Sequence, residues 1–168
     1  MKLKFVILLF LTSGLLISVI GQNELRPKSP TELAKGVFES LKNNDFKSFL
    51  FLIFTEADCK IMANKGEASD SVKAIVVKQM NALTQHTRQN AKTNFNSILS
   101  QTKTKEVKWA SVTLTDVKFE IKNRKGIESS DIFLFCRNGE INFIIKLDNC
   151  HKSDAWLMMD KIKVRFKE

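Results

Sequence analysis

Nucleophilic catalysis needs a serine, cysteine or threonine beside a base, and the chain offers two histidines for that role, His86 and His151. Neither lies in a recognisable nucleophile motif. His86 sits with Gln85 and Arg88 in a polar stretch of helical period, the ordinary setting of a solvated histidine. His151 ends the run Asp148-Asn149-Cys150-His151, which packs three potential metal donors into one loop. Zinc sites draw ligands from separated positions that converge, so no metal is expected there. No phosphate-cradling glycine loop and no paired-thiol motif occurs. Asp160 is the most suggestive carboxylate, the single polar member of an alternating set with Trp156, Met158, Ile162, Val164 and Phe166. Desolvation on an apolar face would raise its pKa and suit it to pocket acid chemistry. The plainer reading is a strand-end carboxylate paired with lysine or water. Trp156, Met158 and Trp109 complete the candidate pocket lining. No catalytic residue and no cofactor is assigned.

Three cysteines, Cys59, Cys136 and Cys150, are too few for a disulfide scaffold or a four-thiolate zinc module. In a straight hairpin Cys136 and Cys150 would lie roughly 30 Å apart, whereas a bridge needs Cα atoms within about 7 Å. Cys136 therefore reads as a small core residue, and a Cys59–Cys150 pair is left open. The 27 Lys+Arg against 18 Asp+Glu give a formal net charge of +9. Lys161, Lys163 and Arg165 alternate along one segment, as Lys103 and Lys105 do elsewhere. Alternation of this kind marks the wet face of a strand rather than a phosphate groove, and no nucleic-acid partner is expected. Of the 13 Phe, the eleven beyond residue 21 fall with the two Trp mostly at inward parity, and the absence of Tyr argues against an antibody-like recognition surface.

The elements that must position these residues fit in one domain, because 168 residues are too few for two comfortable ones. A hydrophobic fraction of 43% with six Gly and two Pro excludes a disordered tail, a collagen-like repeat and a Pro-rich linker. Lys2 and Lys4 precede the apolar run Phe5–Ile20, and Gly21 precedes polar Gln22-Asn23-Glu24. That pattern predicts a cleaved export signal over residues 1–21; the run falls short of the ~20 residues of a spanning helix. The expected location is periplasmic or secreted, with membrane attachment only if the segment is retained. Acidic partners there would be anionic lipid, cell-wall polymer or polysaccharide.

Residues 22–29 read as a short tether and residues 30–168 as the domain. Ser29-Pro30-Thr31-Glu32 is a helix start with a capping box, and Leu33, Val37, Phe38 and Leu41 fall on one helical face. Asn43-Asn44-Asp45 turns the chain into a second apolar helix through Phe46, Phe49, Leu50 and Ile53. A third short helix covers 56–64. Ser69-Asp70 opens a longer one whose stripe begins at Val72, Ile75 and Val76 and thins between Gln85 and Asn94. From Val107 onward the period becomes two. Val117, Phe119 and Ile121 make a half-buried strand, and the opposite parity of Val112 and Leu114 predicts a bulge near Thr115-Asp116. Strands over 131–137 and 140–148 flank Asn138-Gly139, a strong hairpin signal. The implied pairs are Arg137 with Glu140, Cys136 with Ile141, Leu134 with Phe143 and Ile132 with Ile145, with Phe133, Phe135, Asn142 and Ile144 on the other face and Asp131 opposite Lys146. One last strand runs over 156–166. Helices first and antiparallel strands afterwards means α+β, with helices covering one face of a curved sheet of about four strands.

The stretch GVFESLKNNDFKSFL and the closing INFIIKLDNCHKSDAWLMMDKIKV resemble the nuclear transport factor 2-like superfamily of cone-shaped α+β domains. A narrower resemblance is to secreted bacterial proteins with a Lys-Trp strand start, as at Lys108-Trp109, and a DIFLF strand. The superfamily hosts isomerases, binders and assembly domains on one shape. Its isomerase members resemble a site with an Asp base, a Tyr and a protonated acid, and this chain has no Tyr. The expectation is an exported non-catalytic binding or accessory domain engaging a small molecule or an envelope protein. The alternatives are a small-molecule enzyme using Asp160 and an envelope-associated assembly protein.

Overall fold

Ser29 caps the first helix, its hydroxyl accepting from Glu32 N at 3.1 Å, while Glu32 Oε2 accepts from Lys28 N at 2.7 Å. Helix α1 (Pro30–Lys42) buries Leu33, Val37, Phe38 and Leu41 as their spacing requires. Asp45 caps α2 (Phe46–Phe51) through Ser48 N, and a reciprocal Thr55–Asp58 capping box opens α3 (Glu56–Lys65). The computed structural model describes residues 26–66 and 68–167. The expected export signal and the first part of the tether lie outside the described residues.

The polar stretch from Gln85 to Asn94, where the helix is expected to bend, break or lie exposed, holds a break at Asn90 between α4 (Asp70–Gln89) and α5 (Ala91–Lys103). Burial along α4 is the reverse of its hydropathy. Val72 and Ile75 are 46% and 59% exposed, whereas Thr84 and Thr87 are buried. The reason is backbone satisfaction. Thr87 Oγ1 donates to Met159 O at 2.9 Å, and Arg88 Nη1 donates to Leu50 O and Ile53 O at 3.3 and 3.2 Å, where α2 ends without helical partners. The polar half is held because it supplies those hydrogen bonds.

After a 3₁₀ turn (Trp109–Ser111) the chain builds β1 (Thr113–Phe119), β2 (Lys122–Arg124), β3 (Ile127–Asn138), β4 (Ile141–Lys152), β5 (Trp156–Met158) and β6 (Ile162–Phe166). The architecture is α+β, as expected, with six strands instead of about four: β1 and β2 pair β3, β3 pairs β4, and β4 pairs both β5 and β6, all antiparallel. The bulge falls between Leu114 and Asp116. The expected burial of alternate residues holds at Val117 and fails from Phe119 onward, with Phe119 39% and Ile121 48% exposed.

The hairpin register needs correction. Asn138 pairs with Ile141, Cys136 with Phe143, Leu134 with Ile145 and Ile132 with Leu147. The loop is Gly139-Glu140, with Gly139 at φ +59 in the first loop position, as a type II′ turn requires. Asn138 stays in the strand because its side chain binds Lys108 at both N and O, at 2.9 and 3.4 Å. The displacement is two residues, so each side chain keeps its expected face. The expected final strand is also broken. Residues 159–161 separate β5 from β6, and the pairing on β4 slips by one residue between Cys150–Met158 and Leu147–Ile162.

Helices α1, α2 and α5 cover the inner sheet face over Ile132, Leu134, Phe143, Ile145 and Leu147. A second cluster of Phe54, Cys59, Met62, Ala155, Leu157 and Met159 is packed by Met80 and Ile127. Strand β5 is thus buried on both sides, Trp156 and Met158 in the first cluster and Leu157 in the second.

Asp58, 1% exposed, ties this corner together. Its carboxylate accepts from Thr55 N (3.0 Å), Thr55 Oγ1 (2.6 Å) and Ser153 Oγ (2.9 Å), and pairs with Arg26. Pro27 O accepts from Trp156 N at 2.8 Å. The stretch expected as a tether is therefore anchored from Arg26 onward. Burial alone would raise the Asp58 pKa, but the hydrogen bonds from Thr55, Arg26 and Ser153 outweigh it and hold the carboxyl below its ordinary value. A lowered folded-state pKa adds stability above the unfolded value of about 3.9, lost as pH falls through the folded value.

Asp58→Ala is expected to cost about 3 kcal/mol in urea unfolding, because it strands buried donors and an arginine. In the same assay Asp58→Asn should flatten part of the wild-type loss of stability below pH ~4. Gly126 has φ +80 with Lys65 O 3.0 Å from a would-be Cβ, whereas Gly139 at φ +59 has open space. Gly126→Ala should therefore lower stability by more than the roughly 1–2 kcal/mol expected of Gly139→Ala; equal losses would remove the steric contribution.

Candidate binding face

The four residues expected to line a pocket do not meet around one. Trp156 and Met158 are each 2% exposed and belong to the main core. Trp109 is half-buried, its Nε1 donating to Thr102 Oγ1 at 2.9 Å and its ring centroid 6.0 Å from that of Phe143. Asp160 is half-buried in the break between β5 and β6. The inward parity expected of it fails because the strand stops at Met158.

Clefts on the described surface include three that none of those four residues lines. One of about 210 Å³ lies at the α1–α2 corner between Gly36, Ser40, Asp45 and Phe51, below the roughly 300 Å³ at which small-molecule sites begin. A second, of about 400 Å³, is lined by Glu56, Gln85 and Arg88; Gln85 Nε2 donates to Glu56 at 2.8 Å and Arg88 holds the α2 carbonyls, so its polar groups are engaged. The third, of about 410 Å³, lies on the outer sheet face over Lys118, Lys122, Phe133 and Phe135.

The donors of the 148–151 run diverge. Asp148 pairs with Lys146 (2.5 Å) and with Lys163. Cys150 is fully buried in the core, and His151 Nε2 shares a 2.8 Å hydrogen bond with Asn149 Oδ1. Strand alternation sends neighbouring side chains to opposite faces, which explains the divergence. Burial lowers the His151 pKa. It raises the thiol of Cys59, pushes Cys136 up to about 12, and raises Cys150. All three cysteines are free.

The outer face of the sheet carries the site that sequence reading missed. Phe133, Phe135 and Ile144 lie on it half-buried, in rows with Lys118, Lys146, Lys163, Asp116 and Arg165. The face divides in two. Around Phe133, Lys146 Nζ sits 2.8 Å from Asp131 and 2.5 Å from Asp148, which also pairs with Lys163. Two cations answer two carboxylates there. Hydrogen bonds to Asp131 and Asp148 raise the Lys146 pKa. Burial would raise the Asp148 carboxyl, but Lys146 and Lys163 hold it below its ordinary value.

Around Phe135 the balance is absent. Lys118 and Lys167 each place an ammonium 5.2 Å from its ring centroid. Arg137 is the next residue after Phe135 on the outward face of β3, opposite Asn142, and Arg165 lies across from Ile144. The only carboxylate paired there among the described residues is Asp116, 3.8 Å from Lys118. Arg137, Arg165 and Lys167 are exposed and have no ion pair among the described residues. The signal available in the sequence was the shared parity of Phe135, Arg137, Arg165 and Lys167, which becomes a cluster once β6 is paired with β4.

In native protein all three thiols should resist a disulfide-exchange reagent and react together only on unfolding, because buried thiols of raised pKa supply little thiolate. Rapid labelling of any one of them in folded protein would contradict this burial. Neither a family model nor a curated protein nor a solved structure matches the chain.

Proposed function

We propose that this chain is a non-catalytic binding or accessory domain that meets its partner on the open outer face of the sheet. The carrying observation is the cluster of Lys118, Arg137, Arg165 and Lys167 around Phe135, answered by one carboxylate among the described residues. Holding like charges together costs energy that a bound anion relieves. The solid interior also supports an outer site: Trp156, Phe49, Phe95 and Phe143 fill the volume between helices and sheet. Asp160 is half-buried in the break between β5 and β6 and lines none of the clefts at the α1–α2 corner, at Arg88 or on the outer face, which favours the binding reading.

The proposal also takes the domain as exported and nuclear transport factor 2-like. Support for export is the basic start and apolar run through Ile20. Support for the family is the order of capped helices and a sheet roofed on one face. In such a domain a filled interior leaves the sheet's outside as the largest surface for a ligand.

Citrate, a small multivalent anion, serves as the probe. Titrated into isotope-labelled protein, it should shift backbone amides at Phe135, Arg137, Arg165 and Lys167. The Arg165→Glu/Lys167→Glu variant should weaken binding roughly tenfold, at about 0.7 kcal/mol for each exposed charge contact. Shifts centred on the α1–α2 corner, or no loss in the variant, would overturn the outer-face reading.

A further inference from the structure

Resting on that outer-face reading, we propose that the partner is an acidic segment of another polypeptide, laid across β3, β4 and β6 with its carboxylates on Arg137, Arg165 and Lys167. The two forked guanidiniums suit carboxylates, which they can bind through two parallel hydrogen bonds. An extended segment turns every second side chain to the same side, and cations recur at that repeat along β6 and its continuation, at Lys163, Arg165 and Lys167, with Arg137 across the row on β3.

The other polyanions fit less well, each for its own reason. Single-stranded nucleic acid binds such faces by stacking bases on open aromatic rings. Here the rings are covered, Phe133 by Lys146 at 5.4 Å and Phe135 by Lys118 and Lys167. A polyuronate or nucleic acid carries charge at every unit and would run onto Asp116, Asp131 and Asp148, which share the face. A polypeptide can leave those positions neutral and offer amides to Asn142, exposed in the row between Arg137 and Lys167. An anionic bilayer is favoured by apolar groups that enter it, but Phe133, Phe135 and Ile144 are half-buried. A second copy of this chain would bring the same unpaired cations against these.

Fluorescence anisotropy with a labelled peptide of alternating Glu and Thr tests the assignment on the full chain. The comparators, at one ionic strength, are polygalacturonate, an oligothymidylate and phosphatidylglycerol vesicles. The peptide should bind at least fivefold more tightly than any comparator, and Arg165→Glu/Lys167→Glu should weaken it tenfold or more. The same variant should gain affinity for a peptide of alternating Lys and Thr, an outcome that a merely misfolded variant cannot give. A comparator that binds more tightly and is lost in the variant overturns the polypeptide assignment while the outer-face reading stands. Failure of every probe to respond to the variant overturns both.

Discussion

A carboxylate removed from water must be given back its hydrogen bonds, and Asp58 obtains them from its own helix start and from two distant parts of the chain. Thr55 belongs to the start of α3, Ser153 to the turn after β4, and Arg26 to the segment before α1. One desolvated anion thus fixes where the N-terminal segment, the α3–α4 hairpin and the end of the sheet meet. The adjoining bond from Trp156 N to Pro27 O holds β5 at the same junction. On the same edge of β5, Met158 N donates to Leu52 O at 2.9 Å and Met158 O accepts from Phe54 N at 3.0 Å. Leu157 packs into the second cluster while Trp156 and Met158 fill the first. The closure of the interior around Trp156 follows from this arrangement.

A filled interior directs attention to charge on the outside. An antiparallel sheet with one roofed face leaves the other to water, and the usual result is a polar surface with interspersed signs. The half around Phe133 obeys that rule, with Lys146 and Lys163 answered by Asp131 and Asp148. The half around Phe135 departs from it. Lysine stems lie across the rings in both halves, so apolar burial is similar. What differs is the number of carboxylates, and that difference has no counterpart in the packing.

Much of the fold was legible because it rests on local rules. Ser29, Asp45 and Thr55 sit at helix starts for reasons visible in four residues of sequence, and the parity change at Leu114–Asp116 reports its bulge directly. What was not legible depended on distant partners. The hydropathy of α4 suggests burying Val72 and Ile75, yet the carbonyls of Leu50 and Ile53 after α2 hold Arg88 and the polar end of the helix instead. Asn138-Gly139 is a strong hairpin signal, but Lys108, thirty residues earlier, draws Asn138 into the strand. Asp160 illustrates the same limit: its alternation with Trp156 and Ile162 predicts an inward carboxylate, and the break after Met158 removes the strand that alternation assumes.

The candidate face was hidden for a related reason. Alternation of Lys161, Lys163 and Arg165 identifies a solvated strand face, which is correct for Lys163 and Arg165, whereas Lys161 lies exposed in the break before β6. Whether such a face is balanced depends on which strand lies beside it and in what register. Asp131 reaches Lys146 diagonally although Phe133 is its direct neighbour, so one half of the face is neutralised by residues two positions out of line. Arg165 meets Ile144 instead of a carboxylate, and Lys167 reaches the ring of Phe135. Local pattern reading sees the same lysines and arginines in both halves. Only the pairing of β4 with β6 separates cations that stabilise the fold from cations left to meet something outside it.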